Sequence, residues 1–335
     1  MLDPVAFSVG PLSVRWYGLL IGFGVLMGVY LAVREGKRFN LDADLFYDIL
    51  FVGLPSALIG ARLYYVLFNI DQYDSVIDAI AIWNGGIAIH GALIGALLGG
   101  AWMIRRRGYS FARIADICAP SLIVGQIIGR WGNFMNQEAY GSVVSQDFLS
   151  NTLLLPDWIV GQMLIKGAYH HPTFLYESVW TLIGILLLFW LRRRPWLRAG
   201  ELMMSYLVWY SIGRFYIEGF RTDSLTLTLP EPIAAFFNGL WAPLGMFFEQ
   251  GALPDGNVRA AQLIGLVIIL ALITIMIYRR KRVQLAMYSD PIQSVLQPSE
   301  KNVVDSTDKN VANSTSNNVA NSTSNNVAKS PEREE

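Results

Sequence analysis

The sequence is poor in the residues that soluble enzymes most often use. Its 335 residues include one cysteine, Cys118, so an internal disulfide and a cysteine-cluster metal site are both excluded. Cys118 sits in an apolar run and reads as a small buried hydrophobe rather than a nucleophile. There are three histidines, His90, His170 and His171, and neither an HExxH nor a GxSxG pattern, so zinc-hydrolase and serine-hydrolase readings lack their motifs. Charge is scarce at 16%, and Lys+Arg and Asp+Glu are equal at 26 each, which gives no electrostatic footprint for a nucleic-acid partner.

Apolar sequence fills the gap. The chain is 53% hydrophobic, with a mean hydropathy of +0.38. That balance belongs to a polytopic membrane protein. A spanning helix needs roughly 20 mostly apolar residues. Segments near 14–33, 46–68, 86–104, 111–131, 173–191, 201–220 and 259–278 qualify, so the predicted fold is all-α with about seven transmembrane helices. The first segment has no basic leader or small-residue cleavage site and is not read as a signal peptide. Basic clusters follow alternate segments: "REGKR" at 34–38, "RRR" at 105–107, "RRRPWLR" at 192–198 and "RRKR" at 279–282. By the positive-inside rule the N-terminus is outside and the C-terminus cytoplasmic. The apolar stretch 233–248 is short and contains a proline, so it is read as interfacial or re-entrant. The predicted organisation is a membrane domain over 1–283, with outer-face loops at about 132–172 and 221–258, and a disordered tail over 284–335 built on repeats of "NVANSTSN".

With that orientation, the unusual polar residues gather in the outer half. They include Tyr17 in "RWYG", Arg62, and His90 in "WNGGIAIHGALIG". Arg130, Asn133, Asn136, Glu138 and Gly141 belong to "GRWGNFMNQEAYG", Glu177 to "HPTFLYE", and Tyr210, Arg214, Glu218 and Arg221 to "YSIGRFYIEGFRTD". Each has an ordinary explanation: snorkelling for Arg62, i,i+4 and i,i+3 pairing for Arg214, Glu218 and Arg221, and an interfacial belt for Tyr17. Together they do not, because intramembrane ionisable groups are costly and face a cavity or a partner. Two arginines in adjoining half-spans, each near a glutamate, suit a phosphate-sized anion such as a phospholipid headgroup. These residues leave an enzyme and a lipid or anion transporter both open.

The stretch at 129–141 resembles the GRxGNFxNxExxG signature of bacterial prolipoprotein diacylglyceryl transferases. The "RWYG", "GARLYYVLF", "GGIAIHGALIG", "HPTFLYE" and "YSIGRFYIEGFRTD" blocks resemble the same family in the same order, over about residues 10–280. The loop 224–258 and the tail have no counterpart in those blocks. The resemblance implies transfer of the diacylglyceryl group of phosphatidylglycerol to the lipobox cysteine of a preprolipoprotein signal peptide, with no cofactor and no metal. It implies a multi-pass protein of the bacterial inner membrane with its active site toward the outer face. By the same resemblance, Tyr17, His90, Arg130, Glu138 and Arg214 are expected to be catalytic. His90, the one histidine in the outer half of a span, is either the base for the thiol or a hydrogen-bonding group that orients lipid while the arginines alone favour the thiolate. Arg62, Asn133, Asn136, Gly141, Tyr210, Glu218 and Arg221 join Arg130 in holding the headgroup and supporting the site.

Overall fold

The structure is a computed structural model. It describes residues 2–294 apart from positions 11, 74, 246, 247, 249, 252 and 254. The chain opens with an antiparallel hairpin of β1 (Val5–Val9) and β2 (Leu12–Arg15). Then come α1 (Trp16–Lys37), α2 (Ala43–Phe68), the short α3 (Val76–Ile80), α4 (Ile89–Arg106) and α5 (Phe111–Asn136). Strand β3 (Val143–Val144), the short α6 (Asp157–Gln162), β4 (Leu164–Ile165) and β5 (Ala168–His170) follow, the strands forming one small sheet in the order β3-β5-β4. Next are α7 (Thr173–Leu191), α8 (Glu201–Glu218), β6 (Thr226–Leu227), α9 (Glu231–Gly245), β7 (Val258–Arg259), which pairs with β6, and α10 (Ala260–Arg282).

All seven expected segments are helical. Five of these helices, α1, α2, α5, α7 and α10, are long and apolar enough to cross a membrane. The 18-residue α4 and α8 carry the charges that dilute their apolarity: Arg105 and Arg106 in α4, and Glu201, Arg214 and Glu218 in α8. The short helix α9 falls in the stretch read as non-spanning. Its 15 residues reach about 22 Å, short of a ~30 Å hydrocarbon layer. It lies against α8, where Trp241 Nε1 donates to the Tyr216 carbonyl at 3.0 Å.

In the bundle, α1 packs on α5, α2 on α4, α7 and α8 on α5 and on each other, and α10 on α8. The α2–α4 contact is backbone to backbone. A Cβ on Gly60 would stand 3.0 Å from Gly95 Cα, and one on Gly95 would run into the Ser56 carbonyl. Small residues at a helix crossing permit that approach. Gly95→Leu is therefore expected to drive the pair apart and lower the midpoint of thermal aggregation in detergent by several degrees; an unchanged midpoint would contradict this packing.

The end of the bundle away from the signature is held by buried ionic groups. Glu35 on α1 accepts from Arg38 and from Arg192 at 2.8 Å each, and from the Tyr288 hydroxyl at 2.9 Å. Asp116, fully buried on α5, accepts from the Gly200 and Met203 amides at 2.5 and 2.8 Å and so caps α8 from a neighbouring helix. The folded chain also runs past residue 283, where sequence reading begins the tail. Arg113 Nη1 donates to the Met287 carbonyl at 2.6 Å, Tyr288 is buried, and the Tyr288 amide bonds to the Leu197 carbonyl at 2.8 Å. An apolar ring with buried partners overrides the polar character of the surrounding sequence. The rest of the stretch read as a disordered tail, 295–335, lies outside the described residues. Ending the chain after 294 is expected to leave the thermal half-life intact. Ending it after 283 is expected to shorten the half-life at elevated temperature, because Glu35 and Arg113 lose partners; equal half-lives would show that 284–294 adds nothing.

Candidate active site

The signature occupies the last two turns of α5 and the turn after it. Gln137 takes a left-handed conformation (φ 53°), and the Glu138 amide returns to the Asn133 carbonyl at 2.9 Å. This C-cap stops the helix and sends the chain across the bundle end. Gly141 then enters a space that no side chain can share: a Cβ there would be 2.7 Å from His171 Cβ and 3.1 Å from the Phe220 carbonyl. Its amide donates to the His171 carbonyl at 3.1 Å, and the Ser142 amide to the Phe220 carbonyl at 2.8 Å. Gly141 thus joins the signature to the start of α7 and the end of α8.

That junction brings three helices' charges together. Glu177, in the first turns of α7, is paired through one carboxylate oxygen with Arg130 Nε of α5 and through the other with Arg214 Nη1 of α8 at 3.3 Å. Arg214 Nη2 reaches Glu218 at 2.5 Å, and Arg221 Nε stands 4.0 Å from the same Glu218 oxygen. Arg221 also forms a two-point pair with Asp223 at 2.8 and 2.6 Å. Burial works against the Arg221 charge, but Asp223, with Glu218 and Glu177 behind it, holds its pKa above the ordinary value. The Glu177 side chain is 7% exposed, whereas those of Arg130 and Arg214 are 20% and 21% exposed. Carboxylates sit behind and guanidinium edges in front, an arrangement that fixes cations without hiding them.

The other predicted residues divide by position. Asn136 Nδ2 donates to Glu138 at 3.3 Å, while its buried Oδ1 has no hydrogen-bond partner among the described residues. Asn133 lies one turn earlier on α5. Tyr17, in the first turn of α1, lays its ring on Gly132, where a Cβ would be 2.7 Å from Cδ2. Tyr210 precedes Arg214 by one turn of α8 and packs near Tyr206 with ring centroids 6.4 Å apart. Arg62 is spent elsewhere. Buried on α2, it donates to the carbonyls of Ala79, Asp78, Gly85 and Gly86 at 2.8, 2.7, 2.5 and 2.9 Å. It pins the 78–86 segment rather than presenting a free edge. His90 is exposed in the first turn of α4, its ring 5.9 Å from that of Tyr64 on α2. Among the described residues no hydrogen bond or ion pair joins it to the arginine cluster.

Two histidines lie beside the signature: His170 bonds the Gly141 carbonyl through Nδ1 at 2.8 Å, and His171 is enclosed by Phe148, Tyr176, Phe220 and Phe248 and bonds Tyr176 Oη at 3.0 Å. Burial, with a smaller contribution from His170, pushes the His171 pKa down to about 4, so it is neutral at physiological pH. Sequence reading gave Glu177 a depth but no role. Its signal was a carboxylate one turn inside an apolar helix, which calls for a buried partner.

A cavity of about 360 Å³ between α1, α2 and α5 begins at Gly129, beside Arg130, and is walled by Ile21, Gly24, Val25, Phe46 and Leu122. A larger one, about 750 Å³, opens at the opposite end around Arg34, Glu35, Arg38 and Arg192. The smaller cavity adjoins the signature and the larger one does not, so volume alone does not locate this site.

A profile of the prolipoprotein diacylglyceryl transferase family matches residues 4–278. The chain belongs to that family. The match includes the loop 224–258, which the signature blocks left outside. Similar proteins carry the name phosphatidylglycerol–prolipoprotein diacylglyceryl transferase. The one from Geobacillus kaustophilus is 49% identical over 282 residues, covering 84% of this chain and 94% of the relative. The one from Bacillus licheniformis is 48% identical over 280 residues, 83% of this chain and 93% of the relative. A Bacillus cereus protein is 53% identical over 227 residues, 68% of this chain and 83% of the relative. As a family member, this diacylglyceryl transferase is an integral membrane enzyme of multi-pass build.

Proposed function

We propose that the enzyme transfers the diacylglyceryl group of phosphatidylglycerol to the lipobox cysteine thiol of a preprolipoprotein signal peptide. The cysteine sulfur forms a bond to the glyceryl carbon, the bond from that carbon to the phosphate oxygen breaks, and glycerol phosphate leaves with the electron pair. The thiol proton passes to a base. The products are a thioether and glycerol phosphate, the first step of lipoprotein maturation. The observation that carries this reading is the pair of partly exposed guanidiniums, Arg130 and Arg214, joined through the two oxygens of Glu177.

Attack falls on carbon, so the phosphate must leave well. Arg130 and Arg214 neutralise the charge that grows on it, a preorganised clamp of the kind that stabilises developing anions. Asn133, Asn136 and Gly141 shape the headgroup side, with the unpartnered Asn136 Oδ1 available to a headgroup hydroxyl. Glu138, Tyr17 and Tyr210 complete the site's walls. The apolar cavity beside Gly129 takes an acyl chain. A free cysteine thiol has a pKa of about 8.5, so thiolate formation needs a base or a positive field. His90 is assigned as that base, reaching the thiol from α4 as the signal peptide enters. In this reading all seven long helices cross the bacterial inner membrane, with the N-terminus and the site outside and the basic end cytoplasmic.

The test is direct. Purified protein with phosphatidylglycerol and a lipobox peptide should yield a peptide heavier by one diacylglyceryl group and an equal amount of glycerol phosphate. Lipid transbilayer movement without peptide modification would replace the enzyme by a transporter. His90→Gln keeps hydrogen bonding but removes the basic imidazole, so turnover should fall about 10²–10⁴-fold. Near-normal turnover across the pH range would take the base role from His90.

A further inference from the structure

Arg259 is the largest side chain that the fold buries completely, with no exposure to solvent. It ends β7, opposite Thr226 of β6, and stands at the N-cap position of α10 without a side-chain capping bond. Its Nη2 donates to the Gly251 carbonyl at 2.5 Å, while Nε and Nη1 are buried without a hydrogen-bond partner among the described residues. A buried guanidinium with two unused nitrogens is expensive, since each unmet donor forfeits its hydration. The carboxylate whose charge it feels is Glu218. The surroundings keep the two together. The Gly251 amide donates to the Gly219 carbonyl at 2.8 Å, and Gln262 Nε2, one turn into α10, donates to the Phe215 carbonyl of α8 at 3.1 Å.

Glu218 is committed to Arg214 in this structure, at 2.5 Å from Nη2, and Glu177 occupies Nη1 of the same guanidinium. An arginine held on both sides has little left for a departing phosphate. To grip one through two nitrogens it must release a carboxylate, and a released Glu218 would be a buried, unpaired charge. Arg259, whose partner Gly251 is itself bonded to Gly219 next to Glu218, has two nitrogens unused and available to that carboxylate.

We propose that Arg259 is a positioning residue for the transfer, receiving the Glu218 carboxylate when Arg214 turns from it to the phosphate. This role rests on the phosphate-clamp reading of Arg130 and Arg214 and adds a partner behind it.

The experiment is a double-mutant cycle on the full-length chain in mixed phosphatidylglycerol–phosphatidylcholine vesicles with a lipobox peptide. The variants are Arg259→Gln, Arg259→Lys, Glu218→Gln and the double Arg259→Gln/Glu218→Gln. Turnover is expressed per folded molecule, and inhibition by soluble glycerol phosphate is measured alongside. Arg259→Gln should lower kcat about 10- to 100-fold with little change in KM for lipid, and should weaken glycerol phosphate inhibition. Arg259→Lys keeps the charge and should lose less than about tenfold. Adding Arg259→Gln to Glu218→Gln should cost almost nothing further. A purely structural arginine would instead give unchanged kcat per folded molecule, with lysine no better than glutamine, and that result overturns the proposal. So do additive effects in the double variant. If the glutamine variant fails to accumulate, Arg259→Lys is taken through the same cycle, and its loss must vanish in the Glu218→Gln background. Wild-type enzyme indifferent to glycerol phosphate would remove the clamp itself. Inhibition that persists beside additive variants removes only the Arg259 role.

Discussion

Arg130→Lys and Arg214→Lys are each expected to slow diacylglyceryl transfer by about 10²–10³-fold, ~3–4 kcal/mol of lost transition-state stabilisation, while the protein still inserts and folds. Lysine keeps the charge but replaces a planar fork by a point. Glu177 holds one guanidinium with each of its oxygens, so an ammonium at either position could still pair with it. It could not pair inward and present two parallel donors outward. If these arginines served only as ion-pair partners, lysine would be mild, since partly exposed pairs contribute about 0–1 kcal/mol. The two lysine variants should also be less than additive, because both act on one phosphate. Single-turnover transfer at saturating lipid for the two singles and the double decides the matter. Turnover within a few-fold of wild type in both singles would remove the clamp.

Glu177→Gln should damage stability and activity together. The side chain is buried and links α7 to both α5 and α8 through charge. Glutamine has nearly the same shape but offers one acceptor oxygen and an amide that repels a guanidinium. Breaking a buried pair costs about 3–5 kcal/mol, and the partial exposure of both arginines places this case near about 3 kcal/mol. The guanidiniums would also lose their common reference, so turnover per folded molecule should drop on the order of 10²-fold. Thermal inactivation half-life and single-turnover rate measured on one preparation test both parts. A variant that keeps its half-life and its rate would show that Arg130 and Arg214 do not depend on Glu177 for their alignment.

The helices were legible in the sequence because the requirement they meet is local. A segment in hydrocarbon must satisfy its own backbone, so roughly 20 apolar residues in a row specify a helix without reference to anything distant. The stretch that holds α9 was read as non-spanning on the same ground, its apolar run being too brief. The signature residues Arg130, Asn133, Asn136, Glu138 and Gly141 stood out because polar groups at the end of such a run have a visible cost. Partnership was not local. Arg62 and Arg130 look alike in sequence, each an arginine at the same end of an apolar helix. Only the fold shows that Arg62 spends its donors on four carbonyls of the 78–86 segment, while Arg130 stays partly exposed.

The sequence by itself determined the helical membrane architecture, the places where basic residues collect, and the chemical character of the site: guanidinium and carboxylate suited to a phosphate. Tertiary structure alone decided which carboxylate joins the two arginines, since Glu177 lies 47 residues from Arg130 and 37 from Arg214 and meets them only when α5, α7 and α8 pack. It also decided that 284–294 belongs to the folded body, through Tyr288 reaching Glu35 across 253 residues. And it buried Arg259 against Gly251, which bonds the end of α8 at Gly219. The reason is common to all three. Charge in a low-dielectric interior is stable only beside its counter-charge, and which counter-charge is near depends on packing, not on order along the chain.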